Sequence, residues 1–486
     1  MLSILVAHSY FLCFDQKQLE RAKPYPPLAT LQAAATLREA GHQVAVFDAM
    51  LARGIEEYDD RLRAVRPELA LFYEDNFNFL TKMCLGKMRR AACDMIASAH
   101  RRGARVIVAG SDASDAPAVY LGAGADIVLI GEGLTALRAL VRRLDANPQI
   151  DIAQLVEALG GIAFIIDGKL TVVKGAAHSP DPQHPDLAAW DLIDIERYRA
   201  TWRDAHGYFS LNMAASRGCS FRCAWCAKPI WGNHYLQRDA HTVAAEMTYL
   251  KRTFGPDHIW FADDIFGFRI DWVAKFAAAV DAADGSVPFT IQTRADLVSS
   301  GMARALKDAH CQEVWIGAES GSQRVLDSMN KGTTVEEIKL ARARLAEENI
   351  RVGFFIQLGY LDEQLEDILA TRALLEDSCP DDIGVSVAYP LPGTKFYELV
   401  RKQLQAKTHW QESNDLEMMF EGAYSSDFYR AIRDLLHTQV SFQNQNAPQP
   451  SEDYQRARLS LERRWEDLIA GERQYRNSDA EVRAPG

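Results

Sequence analysis

The sequence predicts an α/β protein built as two successive runs of βα units with a helical tail, and three observations carry that prediction. Short apolar runs alternate with amphipathic stretches from the first residues onward, the pattern of repeated strand–helix units. The alternation breaks once, at a segment holding Pro180, Pro182 and Pro185, which reads as an extended connector. The length, 486 residues, suits two or three domains, and 48% hydrophobic with 25% charged residues is an ordinary globular balance.

In the first run, strands are predicted at Ile4–Ala7, Val44–Phe47, Leu69–Tyr73, Arg105–Ala109 and Asp126–Ile130. Helices are predicted near Pro27–Ala40, Ile55–Val65, Thr81–Arg102, Asp115–Ala123 and Leu134–Leu144, with Gly41 and Gly103 as stops. Five such units make a doubly wound parallel sheet over residues 1–148, where ligands sit beyond the carboxyl ends of the strands. Those ends carry His8-Ser9-Tyr10, Glu74-Asp75-Asn76, Gly110-Ser111-Asp112 and Gly131-Glu132-Gly133. By themselves these loops fit the turns of a structural domain as well as a ligand site. Residues 149–205 hold a hairpin, Gly161–Val173 turning at Asp167-Gly168, and the connector, whose His178 and His184 read as solvated.

Several classes of function are excluded. Subtracting 66 acidic from 54 basic residues gives −12, with no basic stripe, so nucleic acid is not the expected partner. No apolar run approaches the roughly 18 residues of a membrane span. Met1-Leu-Ser-Ile-Leu-Val-Ala reads as a first strand, not a signal peptide, and eight cysteines are too sparse for a disulfide scaffold. A cytoplasmic, reducing location is expected.

Cys219, Cys223 and Cys226 stand in a CxxxCxxC spacing within Arg217-Gly-Cys-Ser-Phe-Arg-Cys-Ala-Trp-Cys. Three thiolates on one short loop can hold three irons of a 4Fe–4S cubane and leave the fourth open to an outside ligand. Zinc normally takes four protein ligands, and no second cysteine pair follows. His234, eight residues beyond Cys226, is the one candidate to complete a zinc site.

This loop resembles the signature of the radical S-adenosylmethionine (SAM) enzymes, CxxxCxΦC, with Trp225 as the aromatic Φ. Strand-like segments Ser210–Ser216, His258–Phe261, Phe289–Gln292, Glu313–Ile316, Val352–Gln357 and Gly384–Ala388 follow in the family's order, with helical stretches between them. The resemblance implies a partial (β/α)6 barrel over residues 206–395 with its reactive groups at the strand ends. It also implies a SAM site. Asp263 and Asp264 occupy the slot that holds the amino group, Gln292 and Arg294 suit the ribose and the carboxylate, Glu319 a ribose hydroxyl, and Gln357 the adenine side. Tyr360-Leu-Asp-Glu363 replaces the family's usual turn after the fifth strand. Reductive cleavage of SAM to a 5′-deoxyadenosyl radical is the implied chemistry, with an electron donor such as flavodoxin or ferredoxin.

A doubly wound domain ahead of such a barrel resembles the cobalamin-dependent branch, near the anaerobic magnesium-protoporphyrin monomethyl ester oxidative cyclase. Cobalamin would then contact Ser9, Tyr10, Glu74, Asn76, Gly110, Ser111, Asp112, Gly131, Glu132 and Gly133. The domain has no D-x-H-x-x-G motif, so a histidine below cobalt is not expected. The implied activity is C-methylation of an unactivated carbon of a hydrophobic small molecule, with cyclase-type oxidation as the alternative. Methylthiotransferases acting on tRNA share the barrel and bear three N-terminal cysteines, which Cys13, Cys84 and Cys93 bring to mind. Yet Cys84 and Cys93 lie nine apart on a predicted helix, about 180° round at roughly 100° per residue, poor geometry for one cluster. Residues 396–486 read as a helical cap rich in Trp410, Met418, Met419, Phe420, Tyr424, Phe428 and Tyr429, then a charged helix near Ser451–Ile469. Trp231, His234 and Tyr235 lie just past the cysteine loop.

Overall fold

The first strand, β1 (Ser3–Ala7), is apolar and buried, and it lies between β2 (Gln43–Phe47) and β3 (Leu69–Tyr73). This computed structural model describes residues 1–78, 86–175, 187–226, 232–404, 416–445 and 452–477. Cys84, Trp231, Trp410 and the connector with Pro180, Pro182, Pro185, His178 and His184 lie outside the described residues. β4 (Arg105–Ala109) and β5 (Ile127–Leu129) extend the sheet in the order β2-β1-β3-β4-β5, all parallel. The direction of winding reverses between β1 and β3, which opens a crevice at their carboxyl ends. The hairpin β6 (Ile162–Ile166) and β7 (Lys169–Val173) pairs antiparallel onto β5 and completes seven strands. Its turn, Asp167-Gly168, has φ of +50° and +71°, the left-handed pair that a two-residue hairpin requires. The helix expected over Asp115–Ala123 is two short ones, Ser111–Asp115 and Pro117–Gly122, because Pro117 has no N–H to continue the first.

The second sheet contains β8 (Ser210–Met213), then, after a two-strand antiparallel ribbon of β9 (Ser216–Gly218) and β10 (Tyr235–Gln237), β11 (His258–Phe261), β12 (Phe289–Thr293), β13 (Cys311–Glu319), β14 (Arg351–Leu358) and β15 (Asp382–Val387). The order β8-β11-β12-β13-β14-β15 follows the chain, all pairs are parallel, and β8 and β15 remain the two edges of an open sheet. Side chains alternate between faces. Leu211, Ile259, Phe261, Phe289, Ile291, Val314, Ile316, Phe354 and Ile356 turn outward and are buried under helices. Phe261, Phe266, Phe276, Phe289 and Trp272 form the aromatic contact with the helix Ile270–Ala282. Asn212, Trp260, Gln292, Trp315, Phe355, Gln357 and Ser386 alternate with them on the concave side.

The two sheets meet through the helix Ile195–His206 and β8. Trp202 Nε1 donates to Pro24 O at 2.7 Å, Asn212 Nδ2 to Pro26 O at 3.0 Å, and Tyr198 Oη to Asp48 at 2.6 Å. The C-terminal helix Ser426–Gln445 packs outside the β15 edge, with Asn444 Nδ2 donating to Pro380 O and Asp381 O. The segment before it reaches the end of β14, where a Cβ on Gly359 would touch Met418 and Tyr429 at 3.0 and 3.1 Å.

Candidate cluster loop and cofactor crevice

The cysteine loop begins where the β9–β10 ribbon ends, with Gly218 paired to Tyr235 and held at φ +75°. Cys219 is buried, whereas Cys223 and Cys226 are half-buried. Backbone bonds fasten the loop above the sheet. Ala224 N donates to Met329 O at 2.8 Å, Phe396 N to Ala224 O at 3.0 Å, and Asn330 Nδ2 to Arg222 O at 2.8 Å. Two buried cations attend the thiols. Arg294 stacks on Phe221 with its guanidinium carbon 3.7 Å from the ring centroid and directs Nη1 to Cys223 Sγ at 3.6 Å. Burial depresses the Lys331 pKa, but Glu319 and Cys223 outweigh it and leave the ammonium raised. Among the described residues no group of three or more His, Cys, Asp and Glu is placed to hold one metal ion. A cubane takes each thiolate on a different iron and needs no such convergence.

The strand-end residues divide into those facing the loop and those turned into the fold. Arg294 is bidentate to Asp296 at 2.9 and 3.1 Å and also donates to Lys331 O at 2.7 Å. Glu319 stands at φ +63° on a bulge of β13 and accepts from Lys331 Nζ at 2.7 Å, forming a buried ion pair. Gln357 is buried at the end of β14, and its Oε1 has no hydrogen-bond partner among the described residues. Gln292 Nε2 donates to Asp263 O at 2.6 Å. Asp263 is turned into the fold, where its fully buried carboxylate accepts from Ala215 N at 3.0 Å and from Ser216 Oγ. Burial raises its pKa to about 7 against those hydrogen bonds. It therefore braces the bend between β8 and β9, and Asp264 is the more exposed member of the pair. Trp225 lies half-buried with Lys331 Nζ 6.0 Å from its ring centroid, and its Nε1 has no hydrogen-bond partner among the described residues. Glu363, in the turn after β14, accepts from Gly359 N at 2.6 Å, and burial lifts its pKa to about 8.

In the first sheet, the loops after β1 and β3 join across the crevice. Ser9 N donates to both Glu74 oxygens at 3.1 and 3.2 Å, and Asp75 accepts from Ala29 N at 3.0 Å. Gly110 lies against Glu74, where an added Cβ would come within 2.8 Å of Cγ. Asn76 is fully buried beside Ser111, and its Nδ2 has no hydrogen-bond partner among the described residues. Tyr10 is occupied by Asp15 at 2.8 Å, and Asp112 is committed to Arg89 and Tyr120. Gly131 N donates to Ser114 Oγ at 3.0 Å, and Gly133 opens the helix Leu134–Ala146 at φ +78°. Glu132 turns toward the second sheet, where it forms a buried ion pair with Arg217, two residues before Cys219. The other arm of Arg217 donates to Gln32. The cysteine loop and the loop 131–133 are thus held together by one buried side chain.

A family model described as the Radical SAM superfamily matches residues 213–375, a span that begins on β8 and includes the cysteine loop and the strand ends above. Those residues are a radical SAM domain. The radical SAM enzymes use a 4Fe–4S cluster and SAM, and Cys219, Cys223 and Cys226 lie within the matched residues. Among similar proteins, an uncharacterised methyltransferase of Pyrococcus horikoshii is 25% identical over 60% of this chain and 62% of its own length. The anaerobic magnesium-protoporphyrin IX monomethyl ester cyclase of Cereibacter sphaeroides is 26% identical over 58% of this chain and 45% of its own. A tRNA-2-methylthio-N(6)-dimethylallyladenosine synthase of Chlorobium phaeobacteroides is 29% identical over 42% and 45%. The chain therefore spans less than two thirds of the length of these relatives. The radical SAM methyltransferase TsrM of Kitasatospora setae, solved with cobalamin and a 4Fe–4S cluster, superposes with a TM-score of 0.68 at 18% identity, covering 84% of this chain and 79% of TsrM. That likeness extends the fold match over both sheets.

Three features around this radical SAM domain were not read from the sequence. Lys331 follows a short helix with no flanking pattern, and only the return of the chain beneath Cys223 gives it a role. Arg217 was visible as part of the cysteine motif and Glu132 as a strand-end residue, but their pairing across 85 residues was not. His8 is fully buried 3.0 Å from Asp48, which also accepts from Tyr198. Burial lowers the His8 pKa, but Asp48, Glu74 and Asp75 together leave it raised.

Proposed function

We propose that the chain is a cobalamin-dependent radical SAM methyltransferase acting on an unactivated carbon of a hydrophobic small molecule. The observation that carries this reading is the Arg217 bridge, which sets a cysteine loop with open-site spacing against the strand-end crevice of a doubly wound domain. When bound, the cluster would supply the electron that cleaves SAM, and cobalamin would carry the methyl group. Cys219, Cys223 and Cys226 would hold the cluster, with Arg294 and Lys331 beside Cys223 offsetting its negative charge. Trp225 would flank the loop. Asp264, Gln292, Arg294, Glu319 and Gln357 remain the SAM set. Asp263 acts from behind, through the β8–β9 bend and its carbonyl bond to Gln292. The unpaired Gln357 Oε1 is an acceptor suited to an amino group.

On the cobalamin side, Asn76 and Ser111 line the crevice, and the backbone of Ser9, Gly110, Gly131 and Gly133 bounds it. Tyr10, Glu74, Asp112 and Glu132 shape it through the partners described above. His8 is enclosed and committed to Asp48, which supports cobalt without a histidine ligand. An electron donor of the flavodoxin or ferredoxin type belongs to the same proposal.

Cyclase-type oxidation of a tetrapyrrole-like ring is the second reading, favoured by the likeness to the Cereibacter cyclase. A tRNA methylthiotransferase role has weaker support. Cys13 bonds to Ala52 O at 3.5 Å and Cys93 lies beside Arg89 and Asp112, while Cys84 is outside the described residues. Anaerobic reconstitution should give one 4Fe–4S cluster, lost when all three cysteines become Ala; a cluster in that variant overturns the reading. Turnover with methyl-deuterated SAM then separates the chemistries. Label in a product means methylation, and 5′-deoxyadenosine without label transfer means oxidation.

A further inference from the structure

The concave face of the second sheet carries a surface that neither cofactor set uses. Trp315 on β13 and Phe355 on β14 stack with ring centroids 4.8 Å apart and 29° between planes, and both are only half-buried. Two glycines make this possible. A Cβ on Gly353 would fall 2.6 Å from the indole, and one on Gly384 would fall 3.3 Å from the Phe355 ring and 3.4 Å from the indole. The rings therefore lie down on the backbone of three adjacent strands instead of standing up from it. Trp315 Nε1 donates to Glu313 at 3.1 Å, so the polar edge of the indole is satisfied and the pair presents aromatic surface. Trp315 is paired with Gln292, and it lies four residues, about 13 Å, below Glu319 along β13.

We infer that this pair is the substrate platform and that the substrate presents a planar conjugated ring to it, not an aliphatic or lipid-like chain. The inference rests on the radical SAM reading, which locates the reactive centre above the platform at the strand ends. Aromatic faces favour offset stacking with another flat ring beyond what area alone gives. A puckered or branched apolar group gains only area and has no use for a floor cleared by two glycines.

The test compares 2-naphthoate with its saturated counterpart, decahydro-2-naphthoate, by calorimetric titration of the cluster-loaded, SAM-bound protein. The two share charge and carbon skeleton and differ in flatness. Wild type should prefer the flat ring roughly tenfold. Trp315→Leu and Phe355→Leu should each erase most of the preference, Trp315→Phe should restore much of it, and Gly353→Ala should weaken it by lifting the indole. Equal binding of the two acids to wild type overturns the platform, as does binding of neither, or a preference that survives in both leucine variants. Should one leucine variant fail to fold, the other, which alters a different strand, decides. Iron analysis and the reduced-cluster electron paramagnetic resonance spectrum of the same wild-type sample keep the two ideas apart. Absence of a cluster refutes the radical SAM reading, whereas an intact cluster without ring preference refutes the platform alone.

Discussion

Breaking the Arg217–Glu132 pair from one side should cost far more than removing it whole. Both side chains are only 4% exposed, so solvent neither screens the pair nor rescues a lone partner. Glu132→Ala removes the carboxylate partner of a buried guanidinium that also donates to Gln32, and breaking one side of a buried pair costs about 3–5 kcal/mol. Replacing both, as Arg217→Met with Glu132→Met, removes the charges together and should lie within about 1 kcal/mol of wild type or be more stable. A double-mutant cycle by urea unfolding at low and high salt measures this, and the coupling should persist at high salt because the pair is enclosed. Iron content after reconstitution is the second readout, since Arg217 lies two residues from Cys219. A single-mutant cost below about 1 kcal/mol, the value of an exposed pair, would refute the reasoning.

Two further outcomes follow from the same structure. Asp263, with its pKa raised to about 7, and Glu363, at about 8, bind protons in the folded state at pH values where unfolded carboxyls have lost them. Their contribution is fully present below about pH 4 and is lost as pH rises through 7 to 8, on the order of 4 kcal/mol for a three-unit shift. Asp263→Asn and Glu363→Gln should flatten urea midpoints between pH 4.5 and 8, and parallel profiles would contradict the assignment. In the crevice, Gly110→Ala places a Cβ 2.8 Å from Glu74 Cγ and should reduce cobalamin uptake, read by cobalt content, while iron content is retained.

Strands were the most legible elements because each is a dense apolar run bounded by polar turns. The expected Leu69–Tyr73 and Arg105–Ala109 match β3 and β4 residue for residue. The breaks were less so: β8 stops at Met213, and Ser216 begins a separate antiparallel ribbon, a change that apolar pattern does not encode. Within the site, residue type identified the cysteines but not the direction of each carboxylate. Asp263 and Asp264 are adjacent and chemically identical, and only the position of Ser216 Oγ and Ala215 N decides which one turns inward. Tyr360-Leu-Asp-Glu363 looked like a departure from the family's turn. Yet Glu363 closes it by accepting Gly359 N, a bond that needs only the carboxylate and not the residues between.

The two sheets also depend on each other in a way that separates this chain from a barrel with an appended module. Asp48, at the end of β2, accepts from Tyr198 on the helix that leads into β8, and lies against His8 in the crevice. Trp202 and Asn212 bind the carbonyls of Pro24 and Pro26, which precede the first long helix. Arg217 then closes the opposite end of the interface on Glu132 and Gln32. These contacts tie the strand-end loops of the first sheet to the second sheet at both ends of the interface. A fragment ending before Ile195 would lose the donors to Asp48 and Glu132 together. Asp48 would keep only the partners of its own sheet, His8 and Met50 N among them, and Glu132 would lose Arg217.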